Sequence, residues 1–207
     1  MSPWPFGDLK PLHYGVLLID PPWRQAMRTP NGYAKSPEAH YACMSLAEIA
    51  ALPVDQLAAP DCFIVLWSLW NLVAPGDATG VLRAWRFVPK SGGAWFKKTS
   101  GGKDAFGTGY GFRGSCEPFL TGAIGSPIGS FADPKIRSRS ERNGLFADVE
   151  EGGLVDVRLD HSRKPESMAA ALERMFPDVP KAELFARRRR AGWDVWGDQV
   201  DLFEAAS

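Results

Sequence analysis

Tyr14-Gly15-Val16-Leu17-Leu18-Ile19-Asp20-Pro21-Pro22-Trp23 is an apolar run that stops at an acid, two prolines and an aromatic. Val16 to Ile19 are apolar without interruption, the pattern of a strand covered on both faces in the middle of a parallel sheet. Asp20 then falls just beyond the carboxyl end of that strand, where open α/β sheets hold their ligands. Pro21 and Pro22 fix φ and lack N–H donors, so the expectation is a loop that offers acceptors only, with the Asp20 and Pro21 carbonyls outside any ladder. An Asp oxygen and a backbone carbonyl together match the two N–H bonds of an exocyclic amino group such as adenine's, with the Trp23 ring set to stack on the base. A plain strand followed by a Pro-Pro turn is the alternative that four residues alone leave open.

The 207 residues suit one domain, 1–207, long enough for a substantial core. No apolar run approaches the roughly 20 residues of a membrane span. The N-terminus has no charged region followed by an apolar one, so a cytoplasmic protein without a membrane partner is expected. Cys43, Cys62 and Cys116 are isolated and show no C-x-x-C spacing, which argues against a disulfide framework or a metal site and for structural burial. Lys plus Arg number 24 and Asp plus Glu number 24, so any contact with nucleic acid must use a local patch.

Three stretches read as loops, near 23–44, 99–112 and 125–160. The first exceeds the usual connection length and is a candidate binding loop or lid. Ser45 then opens a helix as N-cap, with Glu48 completing a capping box and Pro53 ending it. Asp61 to Ser68 is a second apolar strand, ending in Leu66-Trp67, with Trp67 read as core. A helix over Asp77 to Trp85 and a strand near Ala94 to Lys98 follow, an alternation that supports a parallel sheet. Gly101-Gly102-Lys103 and Gly107-Thr108-Gly109-Tyr110 form a glycine-rich loop that permits close backbone approach. Cys116 to Ile124 is a further strand, expected beside the one that ends at Asp20. Arg137, Arg139 and Arg142 then make a basic cluster, and Asp148 to Asp156 an acidic one. Pro165 starts a helix with Met168, Leu172, Met175 and Phe176 on one face; Lys164 beside that helix start is suited to an anion. Ala182 to Arg187 reads as the last main strand, and its acid, Glu183, is of the kind that grips ribose hydroxyls. No Gly-x-Gly-x-x-Gly follows the first strand, which disfavours a dinucleotide oxidoreductase.

Taken together, Asp-Pro-Pro-Trp at 20–23, His-Ser-Arg-Lys-Pro at 161–165, Glu-Leu-Phe-Ala-Arg at 183–187 and Gly-Trp…Gly-Asp-Gln at 192–199 resemble, in this order, the adenine-N6 methyltransferases that use S-adenosylmethionine (SAM). The branch is that of the mRNA adenosine methyltransferase catalytic subunit and its bacterial and phage DNA relatives. The resemblance covers roughly Trp4 to Asp198, poorly between Ser126 and Asp160. It implies a Rossmann-like α/β methyltransferase fold with permuted motif order, the catalytic motif N-terminal and the cofactor motifs C-terminal, and with a reversed edge hairpin. The implied catalytic set is Asp20, Pro21, Pro22 and Trp23. The implied SAM contacts are Asp20, Lys164, Glu183, Arg187, Asp198 and Gln199, with Lys164 on the methionine carboxylate and Glu183 on the ribose. Asp198 stands where the family commonly has Asn, and an ionised acid there cannot donate a hydrogen bond. Substrate contacts are expected from Trp23, Lys35, His40, Tyr41, Gly107, Gly109, Tyr110, Arg137 and Arg139. The implied substrate is DNA, with RNA, or a catalytically silent nucleic-acid-binding subunit, as alternatives. A homodimer or a related partner subunit stays open, and no metal is required.

Overall fold

A computed structural model describes residues 4–24, 43–98, 103–107, 109–129, 135–138, 140–146 and 164–200. All six residues of β1 (Tyr14–Ile19) are buried, and from Val16 to Ile19 the side chains alternate between two cores. Val16 and Leu18 meet Phe63, Val65, Trp67, Met168, Leu172 and Phe176 on one face, while Leu17 and Ile19 meet Ile64, Leu66, Ile49, Leu82 and Trp85 on the other. Burial on both faces explains the uninterrupted apolar pattern, since either face of the strand left in water would forfeit about 1.5–3 kcal/mol per aliphatic side chain.

β2 (Ala58–Trp67) and β6 (Lys181–Leu184) flank β1 in parallel. With β3 (Val88–Phe96), β4 (Cys116–Ile124), β5 (Gly144–Phe146) and β7 (Asp194–Trp196) they form a seven-stranded sheet ordered β5-β3-β4-β2-β1-β6-β7. Every pairing is parallel except those of β4, which runs antiparallel to both β2 and β3. The strand at Cys116–Ile124 is therefore not beside the one that ends at Asp20; β2 separates them. The reversed hairpin exists but does not form the edge, because β5 pairs outside it. Strand β3 also begins six residues earlier than its apolar residues suggest. Pro89, Ser91, Gly92 and Gly93 carry no strand pattern of their own and are held extended by their register against β4.

Helix α1 (Leu46–Ala50) has the expected capping box: Glu48 N–H donates to Ser45 Oγ at 3.3 Å and Ser45 N–H donates to Glu48 Oε2 at 2.7 Å. After the short α2 (Trp70–Val73), α3 (Asp77–Ala84) buries Ala78, Val81 and Leu82 on the α1 side of the sheet. The Trp85 indole then donates to Ile49 O at 3.0 Å, tying α3 to α1. On the opposite face lies α4 (Glu166–Met175), N-capped by Pro165 and buried through Met168, Ala169, Ala171 and Leu172. This topology puts the carboxyl ends of β1, β2, β3 and β6 and the amino end of the reversed β4 on one rim.

Candidate active site

Residues alternate in β1, so Asp20, next after Ile19, falls on the face of Val16 and Leu18 that α4 covers. The residue waiting there is Lys164, two positions before that helix. Its Nζ donates to Asp20 Oδ2 at 2.8 Å and lies 3.4 Å from Glu117 Oε2 and 5.6 Å from the Trp67 ring. Glu117 in turn accepts from Lys97 Nζ at 2.5 Å. Glu117 is the second residue of β4 and Lys97 follows β3, so the reversed strand is what carries this acid to the rim. The side chains of Asp20, Lys164 and Glu117 are 20%, 16% and 22% exposed, low enough for charge to count. Burial pushes the Asp20 carboxyl above the ordinary range, opposed by Lys164 and reinforced by Glu117. For Lys164, burial acts downward, but Asp20 and Glu117 outweigh it and hold the ammonium above its usual value. Glu117 ends below its usual value, since Lys164 and Lys97 overcome its burial.

The loop after Asp20 differs from the acceptor-only expectation. Pro21 O accepts from Trp23 N–H and Pro22 O accepts from Met44 N–H, both at 2.8 Å, so each proline carbonyl has one lone pair engaged. Trp23 bridges to Met44 in parallel, closing the stem of the long loop. Its ring is only 6% exposed and donates Nε1–H to Trp67 O at 3.0 Å. The expected stacking of Trp23 on a base is thus replaced by an anchoring role: the indole is core, and it fixes the Pro-Pro loop against the end of β2.

On the other side of Asp20, Glu183 faces Leu18 in register on β6. Burial raises its carboxyl, with Arg190 opposing, and Oε2 is buried with no hydrogen-bond donor although Arg190 Nε lies 3.6 Å away. Arg188 and Arg190 both pair with Glu166 in the first turn of α4, where Ser167 Oγ is also buried without a partner. Two of the four arginines, Arg188 and Arg190, are therefore tied to the helix start, while Arg189 is exposed. Arg187 is near enough to act electrostatically on both Asp20 and Lys164. Phe185 adopts φ 58, unusual for a bulky residue and the kind of strain that clusters at ligand sites. Gly197 packs so closely that a Cβ would fall 2.6 Å from Ala186 O, which places the following turn over the end of β6. In that turn Asp198 is exposed and Gln199 half-buried.

Gly107 bridges to Gly114 in the β3–β4 connection, and Tyr110 lies at its exposed tip. Lys35, His40, Tyr41 and Arg139 lie outside the described residues. Arg137 is not brought to the site. It pairs with Asp178 at 3.2 Å, and its backbone N–H donates to Met175 O, the first just beyond and the second at the carboxyl end of α4, at the opposite rim of the sheet. Glu117, Lys97 and Glu166 were missed by sequence reasoning. An acid at the start of an apolar strand was the available signal for Glu117, and only the reversal of β4 gives it meaning. Among the described residues, no three His, Cys, Asp or Glu side chains are grouped to hold a metal, and no helix is long and apolar enough to cross a membrane.

A mostly parallel seven-stranded sheet with helices on both faces and one reversed strand next to the last long parallel strand is a Rossmann-like methyltransferase fold. Residues 14–199 match the MT-A70 family model, and the chain belongs to that family. It is 24% identical over 208 residues to the human N(6)-adenine-specific methyltransferase METTL4, covering 92% of this chain and 38% of that protein. To the N6-methyladenosine RNA methyltransferase MTA1 of Pyricularia oryzae it is 26% identical, covering 94% and 49%. To the type II methyltransferase M.MunI of Mycoplasma sp it is 26% identical, covering 94% and 81%. The chain thus spans about half or less of the length of METTL4 and this MTA1, and most of that of M.MunI.

Proposed function

We propose that this chain is a SAM-dependent methyltransferase acting on the exocyclic N6 amino group of adenine in DNA. The observation that carries the reading is the half-buried Asp20 at the carboxyl end of β1, held by Lys164 on one oxygen and flanked by the Pro-Pro turn. An adenine amino nitrogen is weakly nucleophilic, because its lone pair is delocalised into the ring. Asp20 Oδ1 and the remaining lone pair of a proline carbonyl accept its two N–H bonds, which favours pyramidal nitrogen and stabilises the positive charge that develops there. Lys164 opposes the burial that raises the Asp20 carboxyl and so favours its ionised form. Trp23, pinned to Trp67 O, keeps the loop from drifting.

The rim fits the cofactor. Glu183 Oε2 is a buried acceptor without a donor, as a ribose diol requires, and Lys164 beside the α4 start suits a carboxylate. Arg187, Asp198 and Gln199 complete the set, with the exposed Asp198 a weaker contact than the family's Asn. Bound there, SAM supplies an electrophilic methyl group on a sulfonium. DNA is favoured over RNA because the match that runs along most of a relative is to a type II methyltransferase, whereas the MTA1 match spans about half of that RNA methyltransferase. An intact Asp20 motif argues against a silent subunit.

Three measurements test this. Calorimetry should show SAM binding in chelator; a folded protein that gives no heat refutes the cofactor assignment. Labelled SAM incubated with separate DNA and RNA pools, followed by digestion, should yield N6-methyladenine from DNA. Label in RNA alone would move the substrate to RNA. Asp20→Ala should lower turnover about a hundred- to a thousandfold; equal turnover would remove Asp20 from catalysis.

A further inference from the structure

The connection between β3 and β4 displays its largest apolar side chains to water. Phe106 is 66% exposed and Phe112 91%, and Tyr110 between them is 87% exposed. Soluble proteins hide such rings unless something is to cover them. This is a built projection: Lys98 bridges to Asp104, Gly107 bridges to Gly114, and Gly109 turns so tightly that a Cβ would sit 2.2 Å from Phe112 O. It rises from the Asp20 rim, since Lys97 at its base pairs with Glu117, and Glu117 with Lys164. Trp70, 50% exposed, borders the same base and donates Nε1–H to Cys116 O at 3.2 Å.

The residues between the rings indicate the occupant. Within 97–114 the sequence carries four cations, Lys97, Lys98, Lys103 and Arg113, and one acid, Asp104; Lys97 is paired with Glu117 and Lys98 with Asp104. The Arg113 guanidinium already lies over the Phe106 ring at 5.2 Å. Flat rings interleaved with cations and glycines, without branched aliphatics, match the needs of unpaired bases and their phosphates better than those of a protein groove.

We propose that Phe106 and Phe112 form a stacking platform for unpaired nucleotides flanking the target adenine, so that the chain takes single-stranded or locally opened nucleic acid in preference to intact duplex. This deepens the catalytic reading above and rests on it for the target base alone. A base already out of its stack also avoids the cost of flipping.

The test is fluorescence anisotropy with a labelled adenine-containing single strand, as DNA and as RNA, and with the matching DNA duplex, at one salt concentration. Wild type should bind a single strand more tightly than the duplex. The double variant Phe106→Ala/Phe112→Ala should lose about fivefold or more in single-strand affinity per ring, with SAM binding and melting temperature unchanged. Phe106→Leu/Phe112→Leu should lose nearly as much, and Phe106→Tyr/Phe112→Tyr should restore binding, because stacking needs a π face and not merely apolar bulk. A leucine variant that binds like wild type overturns the proposal. So does self-association in sedimentation that the alanine variant abolishes without changing oligonucleotide affinity, since the rings would then be a protein contact. A protein that binds single strands through these rings but methylates nothing keeps the platform and removes the catalytic reading; one that methylates DNA with the variants inert does the reverse.

Discussion

Asp20 lies under two opposed influences, burial that favours its neutral form and Lys164 that favours its charge, with Glu117 adding to the first. If the carboxylate is the form that accepts the amino group, turnover falls as pH drops through the raised Asp20 value, and the acid limb of kcat/KM sits above the ordinary carboxylate range. Glu117→Gln removes a negative neighbour and should move that limb to lower pH; a limb that stays put or moves upward would show that Glu117 does not act on Asp20. The same substitution bears on stability. Because the Glu117 value is lowered on folding, its contribution is present above the unfolded carboxylate value and is lost as pH falls through the folded one.

Elements place these residues through short local devices. The capping box at Ser45 orients α1 just after the stem that Trp23 and Met44 close. Ser45→Ala should cost about 1 kcal/mol and lower Tm by about 2–4 °C, measured by thermal unfolding, with SAM affinity unchanged because α1 is on the far side of the sheet from Lys164. Gly197→Ala is expected to act differently. Its Cβ would fall 2.6 Å from Ala186 O and 2.8 Å from Ala186 N, backbone that cannot rotate away. It should cost about 1–3 kcal/mol by overpacking and weaken SAM binding by shifting the Asp198-Gln199 turn; calorimetric affinity equal to wild type would detach that turn from the cofactor.

Across the whole molecule, the two rims divide the work. Asp20, Lys164, Glu117 and Glu183 share one rim, and the Asp61–Lys135 pair at 2.6 Å belongs with Arg137–Asp178 at the other. The Arg137 and Asp178 side chains are 73% and 71% exposed, so the pair contributes little stability. Arg137→Glu should leave the log–log salt slope of DNA binding unchanged, whereas loss of a phosphate contact would reduce its magnitude by about 0.9 on duplex. A shallower slope in that variant would bring the far rim into the nucleic-acid face.

The strand ending at Asp20, the capping box, the helix after Lys164 and the acid on β6 were all legible in the sequence, because each rests on local rules: apolar runs buried on two faces, a side chain that caps its own helix, an acid at a strand end. The course of β4 was not legible. Nothing in Cys116–Ile124 states which neighbour it takes, since an apolar strand is equally satisfied by any partner, and its antiparallel insertion between β2 and β3 follows from sheet closure over the whole chain. That insertion alone brings Glu117 to Lys164. Trp23 was likewise read from its motif as a stacking ring, but whether an aromatic faces a ligand or the core depends on what packs beside it, and the end of β2 claimed it. Arg137 had the right charge for phosphate, yet charge carries no address: the fold set it on the rim opposite Asp20.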